Sequence, residues 1–325
     1  MLENKKILVT GGAGFIGSNL CEELLKQGNH VTCLDNFLTG KRENINEFFK
    51  HENFRLIEGD IRNPDDCKNA TKNIEYVFHQ AALGSVPRSI ENPCPTNDIN
   101  ITGFLNMLLA SRDAKVKRFV YASSSSVYGD NPALPKLEEN IGKPLSPYAV
   151  TKQVNELYAK VFADLFGMEV IGLRYFNVFG QRQDPDGAYA AAIPKFIRLL
   201  LKGESPVIYG NGDQTRDFTY ISNVVYANQC AALTKNPDAL NTIFNIACGS
   251  RISLNDLYSL ITENLSSFKK GIKDIKPIFV PERKGDIKDS LASIERAQKL
   301  LGYHPNCNVK SGLGRSIEWY VKNLH

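Results

Sequence analysis

Apolar residues in the first half of the chain fall into short runs separated by stretches with a helical rhythm. The runs are KILVT at 6–10, HVTCLD at 30–35, FRLIEGD at 54–60, EYVFHQAA at 75–82, RFVYASS at 118–124 and EVIGLRYFNV at 169–178. Between the first two, apolar positions recur at helical spacing over Phe15–Lys26. Near-continuous apolar strands alternating with helices predict an α/β fold with a doubly wound parallel sheet, buried on both faces. Past Asn177 the texture changes. The stretches GQRQDPDGAYAA (180–191) and IYGNGDQTRDF (208–218) are rich in Gly, Asp and Gln and poor in strand signal. They predict a smaller, mixed α/β lobe built from loops and helices. Long helical character resumes in YISNVVYANQCAALTK at 220–235, which predicts that the chain returns to the first lobe. The expected division is 1–176 plus about 219–247 for one domain, and 177–218 plus about 248–325 for the other.

Two helices carry too many apolar residues for one amphipathic face. INITGFLNMLLAS (99–111) brings Phe104, Leu105, Met107, Leu108 and Leu109; VNELYAKVFADLFG (154–167) brings Val154, Leu157, Val161, Phe162, Leu165 and Phe166. Either both are core helices, or one stripe packs on the sheet and a second on another copy of the chain, giving a homodimer through helices near 100–112 and 148–166.

Composition narrows the class. The 325 residues are 42% hydrophobic and 23% charged, with a formal charge of +4, which is ordinary for a soluble globular protein. Lys and Arg are scattered, so neither nucleic acid nor a membrane surface is indicated as a partner. No apolar run reaches the length of a membrane span. Lys5 and Lys6 lead into too short an apolar run for a signal peptide. The seven cysteines are an odd number without a Cys-x-x-Cys pair, which fits reduced thiols in the cytoplasm. The five histidines lie far apart, so no metal site is expected.

The first strand runs directly into TGGAGFIG, with Gly11, Gly14 and Gly17 three residues apart at the opening of a helix. The first glycine allows a tight turn, the second lets backbone approach a pyrophosphate, and the third permits close helix–strand packing. The next strand ends at Asp35, where a carboxylate either accepts both ribose hydroxyls or simply ends the strand. The same charge repels a 2′-phosphate, which favours NAD over NADP, although Lys41 and Arg42 stand nearby. Ala81 and Ala82 follow a buried strand and are small enough for a cofactor to lie against, or are plain core alanines.

Four serines, Ser123–Ser126, follow the fifth run, and SPYAVTKQVNE begins at Ser146. Ser146 and Pro147 read as a helix cap and first-turn proline. Tyr148 and Lys152 then lie one turn apart on one face. A free phenol titrates near pH 10; a neighbouring ammonium and a nicotinamide cation lower that value toward a usable base. An i,i+4 surface pair is the alternative, and the glycines and the serine run upstream argue against it.

Taken together, TGGAGFIG, DNFLTG, GDIRN, HQAA, ASSSSVYG, SPYAVTK, RYFNVFG and TRDFTYI resemble the extended short-chain dehydrogenase/reductase family over essentially the whole chain. Within it the sequence is most similar to UDP-sugar 4-epimerases, especially those acting on UDP-N-acetylhexosamines. The resemblance implies a Rossmann-type sheet, NAD as cofactor, and Ser124, Tyr148 and Lys152 as catalytic residues. It implies cofactor contacts at Gly11, Gly14, Phe15, Ile16, Gly17, Asp35, Asn36, Thr39, Gly40, Asp60 and Ile61. Further cofactor contacts are implied at Gln80, Ala81, Ala82, Tyr148, Lys152, Tyr175 and Val178. For a UDP-sugar substrate it implies Gly84, Ser85, Ser124, Ser125, Tyr148, Asn177, Gln183, Tyr209, Arg216, Arg283, Asp286 and Ser290. Arg216 and Arg283 suit bidentate phosphate contacts, or else pair on the surface with Asp217 and Asp286. Ser290 either leaves room for an N-acetyl group or caps a following helix in LASIERAQKLLG.

The resemblance also tells against relatives. Nucleotide-sugar dehydratases and decarboxylases carry acids just before VYG, where this chain has Ser125 and Ser126. That favours oxidation and return of hydride at C4. The expected activity is interconversion of UDP-GlcNAc and UDP-GalNAc, with UDP-Glc and UDP-Gal as further substrates. UDP-glucuronate 4-epimerisation is the nearest alternative; a dehydratase, a decarboxylase and a non-catalytic NAD-binding scaffold stand further off.

Overall fold

The computed structural model describes residues 2–185, 191–282 and 289–324. The chain opens with β1 (Lys6–Thr10), α1 (Phe15–Lys26), β2 (His30–Asp35), β3 (Phe54–Glu58), α2 (Pro64–Ala70) and β4 (Tyr76–His79). Two short helices, α3 (Val86–Glu91) and α4 (Pro93–Asn97), lead through a π-helical turn at Asp98–Thr102 into α5 (Gly103–Asp113). Next come β5 (Arg118–Ser124), α6 (Pro147–Phe166) and β6 (Val170–Tyr175). These six strands and one later one form a single sheet of order β11-β6-β5-β4-β1-β2-β3, parallel throughout. All four residues of β4 and all six of β6 are buried, because helices cover both faces. That is why these runs read as continuously apolar rather than alternating.

The remaining elements are β7 (Val178–Phe179), α7 (Ala192–Lys202), β8 (Val207–Tyr209), β9 (Thr215–Arg216), β10 (Thr219–Tyr220), α8 (Ile221–Leu233) and β11 (Thr242–Ile246). They are followed by β12 (Ile252–Ser253), α9 (Leu254–Leu265), β13 (Ile278–Val280), α10 (Glu295–Leu301) and α11 (Val309–Asn323). Three two-stranded sheets, β7 with β10, β8 with β13 and β9 with β12, frame the second half. Helix α8 packs on α1, and β11 adds to β6 as the seventh strand of the main sheet.

The two apolar helices differ. On α5, Phe104, Met107 and Leu108 are buried in the core beneath the sheet. On α6, Val150, Leu157, Val161 and Leu165 lie seven, four and four residues apart, on one helical face, and are 45%, 62%, 47% and 70% exposed. Only α6 therefore carries an unburied apolar stripe of the kind that a second copy would cover.

A helix spanning the whole of LASIERAQKLLG is not formed; α10 starts at Glu295. Residues before it are held extended by tertiary pairing. The Ser290 amide donates to the Thr215 carbonyl (3.1 Å), the Lys136 amide to the Leu291 carbonyl (2.8 Å) and the Ser293 amide to the Lys136 carbonyl (3.0 Å). Ser290 thus straps the chain to β9 and caps no helix.

Candidate active site

Strand order reverses between β1 and β4, and the crevice at their carboxyl ends is where doubly wound sheets bind ligands. A cavity of ≈ 390 Å³ occupies it. Its walls include Gly11, Gly14 and Gly17 after β1, Asp35 at the end of β2, Gln80 and Ala81 after β4, Ser124 at the end of β5 and Tyr148 and Lys152 from α6. Gly11 has φ +68°, and a Cβ there would stand 2.8 Å from the Ala81 backbone. A Cβ on Gly17 would meet the Gly11 carbonyl oxygen at 2.1 Å. These contacts hold the turn tight against β4 and the start of α1 tight against the turn. Gly14 caps α1 without a side-chain hydrogen bond, and no acid stands in its first turn, which leaves that end suited to a phosphate.

Asp35 is 7% exposed and accepts the Ala13 amide on one oxygen (2.9 Å) and the Phe37 amide on the other (2.8 Å). Burial raises its pKa, and those two amides oppose the rise. The neighbouring cations are engaged elsewhere. Arg42 pairs with Glu58 at 2.5 Å and lies over the Phe37 ring, and Lys41 pairs with Asp184 at 3.1 Å. The residues present fit a dinucleotide without a 2′-phosphate.

At the other side of the cleft, the four serines part company. Ser123 donates its hydroxyl to Glu156 at 2.5 Å. Ser124 accepts the Ser126 amide at 3.1 Å, which leaves its own hydrogen to turn toward Tyr148. Ser125 opens a short helical turn outside the cavity wall, and the Ser126 hydroxyl is buried without a hydrogen-bond partner. Helix α6 begins as its sequence predicts, with Ser146 accepting the Ala149 amide at 3.1 Å. The Lys152 ammonium donates to the Ala122 carbonyl at 2.7 Å and lies 5.9 Å from the centre of the Tyr148 ring.

Two opposed influences act on the Tyr148 pKa among these side chains. Burial raises it, and only the Ser124 hydroxyl pulls it back. The reason is that Lys152 is itself buried, with its pKa lowered to about 8, and spends its nearest contact on a carbonyl. His79, which bonds Thr10 at 2.9 Å, is kept neutral by burial, its pKa lowered to about 3.

A second cavity of ≈ 300 Å³ shares Asn177 and Val178 with the first and continues the cleft into the second half of the chain. Tyr209, Arg216, Lys195, Gln214, Phe196 and Phe218 stand in its wall, two cations among aromatic rings. Arg216 donates to the Thr215 carbonyl, not to Asp217. Asp217 is fully buried and accepts the amides of Cys248 (3.0 Å), Gly249 (3.2 Å) and Ala292 (3.4 Å). The surface pair weighed for it from sequence is therefore excluded by its burial.

The first cavity also brings together Phe15, Ile16, Asn36, Thr39, Gly40, Ile61, Ala82, Gly84, Tyr175 and Val178. Five expected site residues lie outside both walls, each for a local reason. Asp60 is taken by Arg62 (2.7 Å) and Asn36 (2.8 Å), its pKa lowered to about 2. Ser85 caps α3 by accepting the Arg88 amide (3.2 Å), and Gln183 donates to the Val178 carbonyl (2.9 Å). Ser125 and Ser290 are held as described above. Arg283 and Asp286 fall outside the described residues.

Asn100 was not singled out from sequence. It is buried in the π-helical turn, accepts the Leu83 amide at 2.7 Å and donates to Thr151 at 3.1 Å, tying the loop after β4 to α6. Nothing in INITGFLNM sets it apart from Thr102 and Asn106, the other polar residues of that run. Among the described residues, no group of three or more His, Cys, Asp or Glu side chains could hold a metal ion.

Comparison with known proteins decides the family. A model of the NAD dependent epimerase/dehydratase family matches residues 7–247. The chain belongs to that family. A UDP-N-acetylglucosamine 4-epimerase from Methanobrevibacter ruminantium, solved with UDP-N-acetylmuramic acid, is 40% identical with a TM-score of 0.90, over 99% of this chain and 98% of that one. A UDP-glucose 4-epimerase of Thermotoga maritima, solved with UDP-glucose, is 35% identical with a TM-score of 0.89, over 98% of this chain and all of that one. A UDP-glucuronic acid 4-epimerase from Bacillus cereus, solved with UDP-glucuronic acid and NAD, is 34% identical with a TM-score of 0.88, over the same shares. The family and the Rossmann-type fold expected from the motifs are thus both found, while the family spans three different sugars.

Proposed function

We propose that this family member interconverts the C4 epimers of a UDP-sugar, with UDP-GlcNAc and UDP-GalNAc as the foremost pair. The observation that carries the reading is the convergence of Ser124, Tyr148 and Lys152 on the cavity that also holds the glycine turn and Asp35. Asp35, at the end of β2, is the one carboxylate among the described residues of that wall, so no acid stands beside Ser124 to drive elimination or decarboxylation. Bound NAD supplies the hydride acceptor and donor at C4. Tyr148 takes the proton from the sugar 4-hydroxyl and returns it, a role worth about 10²–10⁴ in rate. Ser124 donates to the C4 oxygen once substrate is bound, and the Lys152 ammonium stabilises the phenolate. Arg216 and Lys195 face the diphosphate from the second cavity, with Tyr209 and Phe218 toward the base. The acetylated pair is placed first on the strength of the Methanobrevibacter enzyme's 40% identity.

We also propose that a second copy covers the α6 stripe, because exposed Leu157 and Leu165 are costly to leave in water. The unbridged thiols at all seven cysteines support a reducing compartment, the cytoplasm. Among the described residues, no helix is long and apolar enough to cross a membrane. The function is tested by incubating the protein with UDP-GlcNAc, UDP-Glc and UDP-glucuronate and separating products by chromatography. Turnover of UDP-GlcNAc to UDP-GalNAc is expected to be fastest. Turnover of UDP-glucuronate alone would move the substrate assignment, and 4-keto-6-deoxy or pentose products would overturn the reaction.

A further inference from the structure

Beneath the reacting groups lies a second layer of buried charge. Glu156 stands one helical turn beyond Lys152 on α6 and is 7% exposed. Its carboxylate accepts two parallel hydrogen bonds from Arg174, Nε to Oε1 and Nη2 to Oε2, both at 2.8 Å, and a third from Ser123 at 2.5 Å. Arg174 is 2% exposed; its remaining donor reaches the Tyr128 hydroxyl (3.1 Å) and the Glu138 carbonyl (2.8 Å). Ser123 and Arg174 face each other across β5 and β6 in the strand register.

A buried ion pair of this kind adds little net stability and could be replaced by apolar side chains. Its placement suggests another use. Two consecutive residues of β5 receive two consecutive turns of α6: the Ala122 carbonyl accepts the Lys152 ammonium, and the Ser123 hydroxyl donates to Glu156. Ser124 is the next residue of the strand. The helix that carries Tyr148 is thereby fixed against the strand that carries Ser124.

We propose that Glu156 is a positioning residue for Lys152: held by Arg174 and Ser123, its carboxylate keeps the Lys152 ammonium charged inside the closed cleft. Burial alone pulls Lys152 down, and Glu156 is the charge that opposes it. The other groups facing this spot do not substitute. Burial disfavours the charged forms of Tyr148 on α6 and Tyr175 on β6, and His79 on β4 is neutral. Tyr121 on β5 is also a buried phenol, and Arg174, being a cation, does nothing to support the Lys152 charge. Glu156 does not itself line the first cavity; it reaches that wall through the Ser123 hydroxyl and lies one helical turn from Lys152.

The inference rests on the proposed role of Lys152, and its test is independent of turnover. NAD-loaded protein labelled with ¹³Cε-lysine is titrated by NMR, with the Lys152 signal assigned by its loss in Lys152→Met. In Glu156→Gln the Lys152 midpoint is expected to fall by roughly one pH unit, because a nearby opposite charge commonly shifts a group by 1–3 units. The alkaline limb of kcat should move down with it. If the single variant does not fold because Arg174 is left unpaired, Glu156→Gln/Arg174→Gln removes the cation with the carboxylate and should show a smaller fall in the same direction. An unchanged midpoint in a folded variant, even with activity lowered evenly at all pH, overturns the proposal and leaves Glu156 a purely structural residue. A wild-type protein that turns over no UDP-sugar would instead count against the proposed function, and the titration would still decide the role of Glu156.

Discussion

Replacing Gly17 with alanine tests the dinucleotide turn by a single methyl group. The added Cβ would stand 2.1 Å from the Gly11 carbonyl oxygen, 2.8 Å from its carbonyl carbon and 2.8 Å from the Gly12 Cα. All three are backbone atoms, so no side chain can rotate aside, and the turn or the first turn of α1 must move by about 1 Å to reach ordinary contact. Overpacking of this severity costs roughly 1–3 kcal/mol. Stability of a whole protein is about 5–15 kcal/mol, so the variant should still fold. Its Tm should fall by about 2–6 °C, given a few degrees per kcal/mol in chains of this size. The displaced turn is the one whose amides would meet the pyrophosphate, so NAD affinity should drop about tenfold or more, since 1.4 kcal/mol is a factor of ten. Gly14→Ala is the internal control. Its Cβ would lie 3.2 Å from the same oxygen, a contact that small adjustments relieve, and its Tm should fall by less. Differential scanning fluorimetry with and without NAD reads both quantities. A Gly17→Ala protein with wild-type Tm and wild-type NAD affinity would show that the close approach of α1 to the turn has no part in binding.

Tyr148→Phe keeps the ring and removes the base; turnover should fall about 10²–10⁴-fold while UDP-sugar binding by calorimetry survives, and wild-type turnover would remove Tyr148 from the mechanism. Leu165→Glu places a charge in the exposed α6 stripe and should convert a dimer to a monomer by light scattering, whereas an unchanged mass would place any interface elsewhere. Asp217 is buried, with its pKa raised to about 7, above the ordinary carboxylate value it has in the unfolded chain. The folded state therefore holds a proton that the unfolded state releases, so this group's contribution is fully present below about pH 4 and is lost as pH rises through 7, a loss of roughly 4 kcal/mol. Asp217→Asn should flatten the fall of Tm between pH 5 and 8; parallel Tm curves for the two proteins would contradict that assignment.

The parts of this fold that were legible in the sequence are those fixed by local chemistry or by burial on both faces. The helix Phe15–Lys26 and the strand His30–Asp35 have the bounds that their periodicity indicates, and Ser146 caps α6 as its position before Pro147 implies. Where distant segments compete, the sequence alone misleads. Residues 291–294 have a helical pattern, yet pairing with Lys136 and Thr215 draws 290–293 into an extended strap. Asn100, Glu156 and Asp217 could not be recognised because their meaning lies in partners far along the chain: Leu83, Ser123, and the amides of Cys248 and Ala292.

Epimerisation in D₂O, followed by ¹H NMR, tests the central claim most directly. With catalytic amounts of the protein and UDP-GlcNAc, the galacto epimer should accumulate to equilibrium with protium retained at C4. Hydride that leaves and returns within the closed cleft never exchanges with solvent, whereas the Tyr148 proton does. A product carrying deuterium at C4 would show that the bond is broken by proton abstraction instead, and failure to form a C4 epimer from any UDP-sugar tried would contradict the account outright.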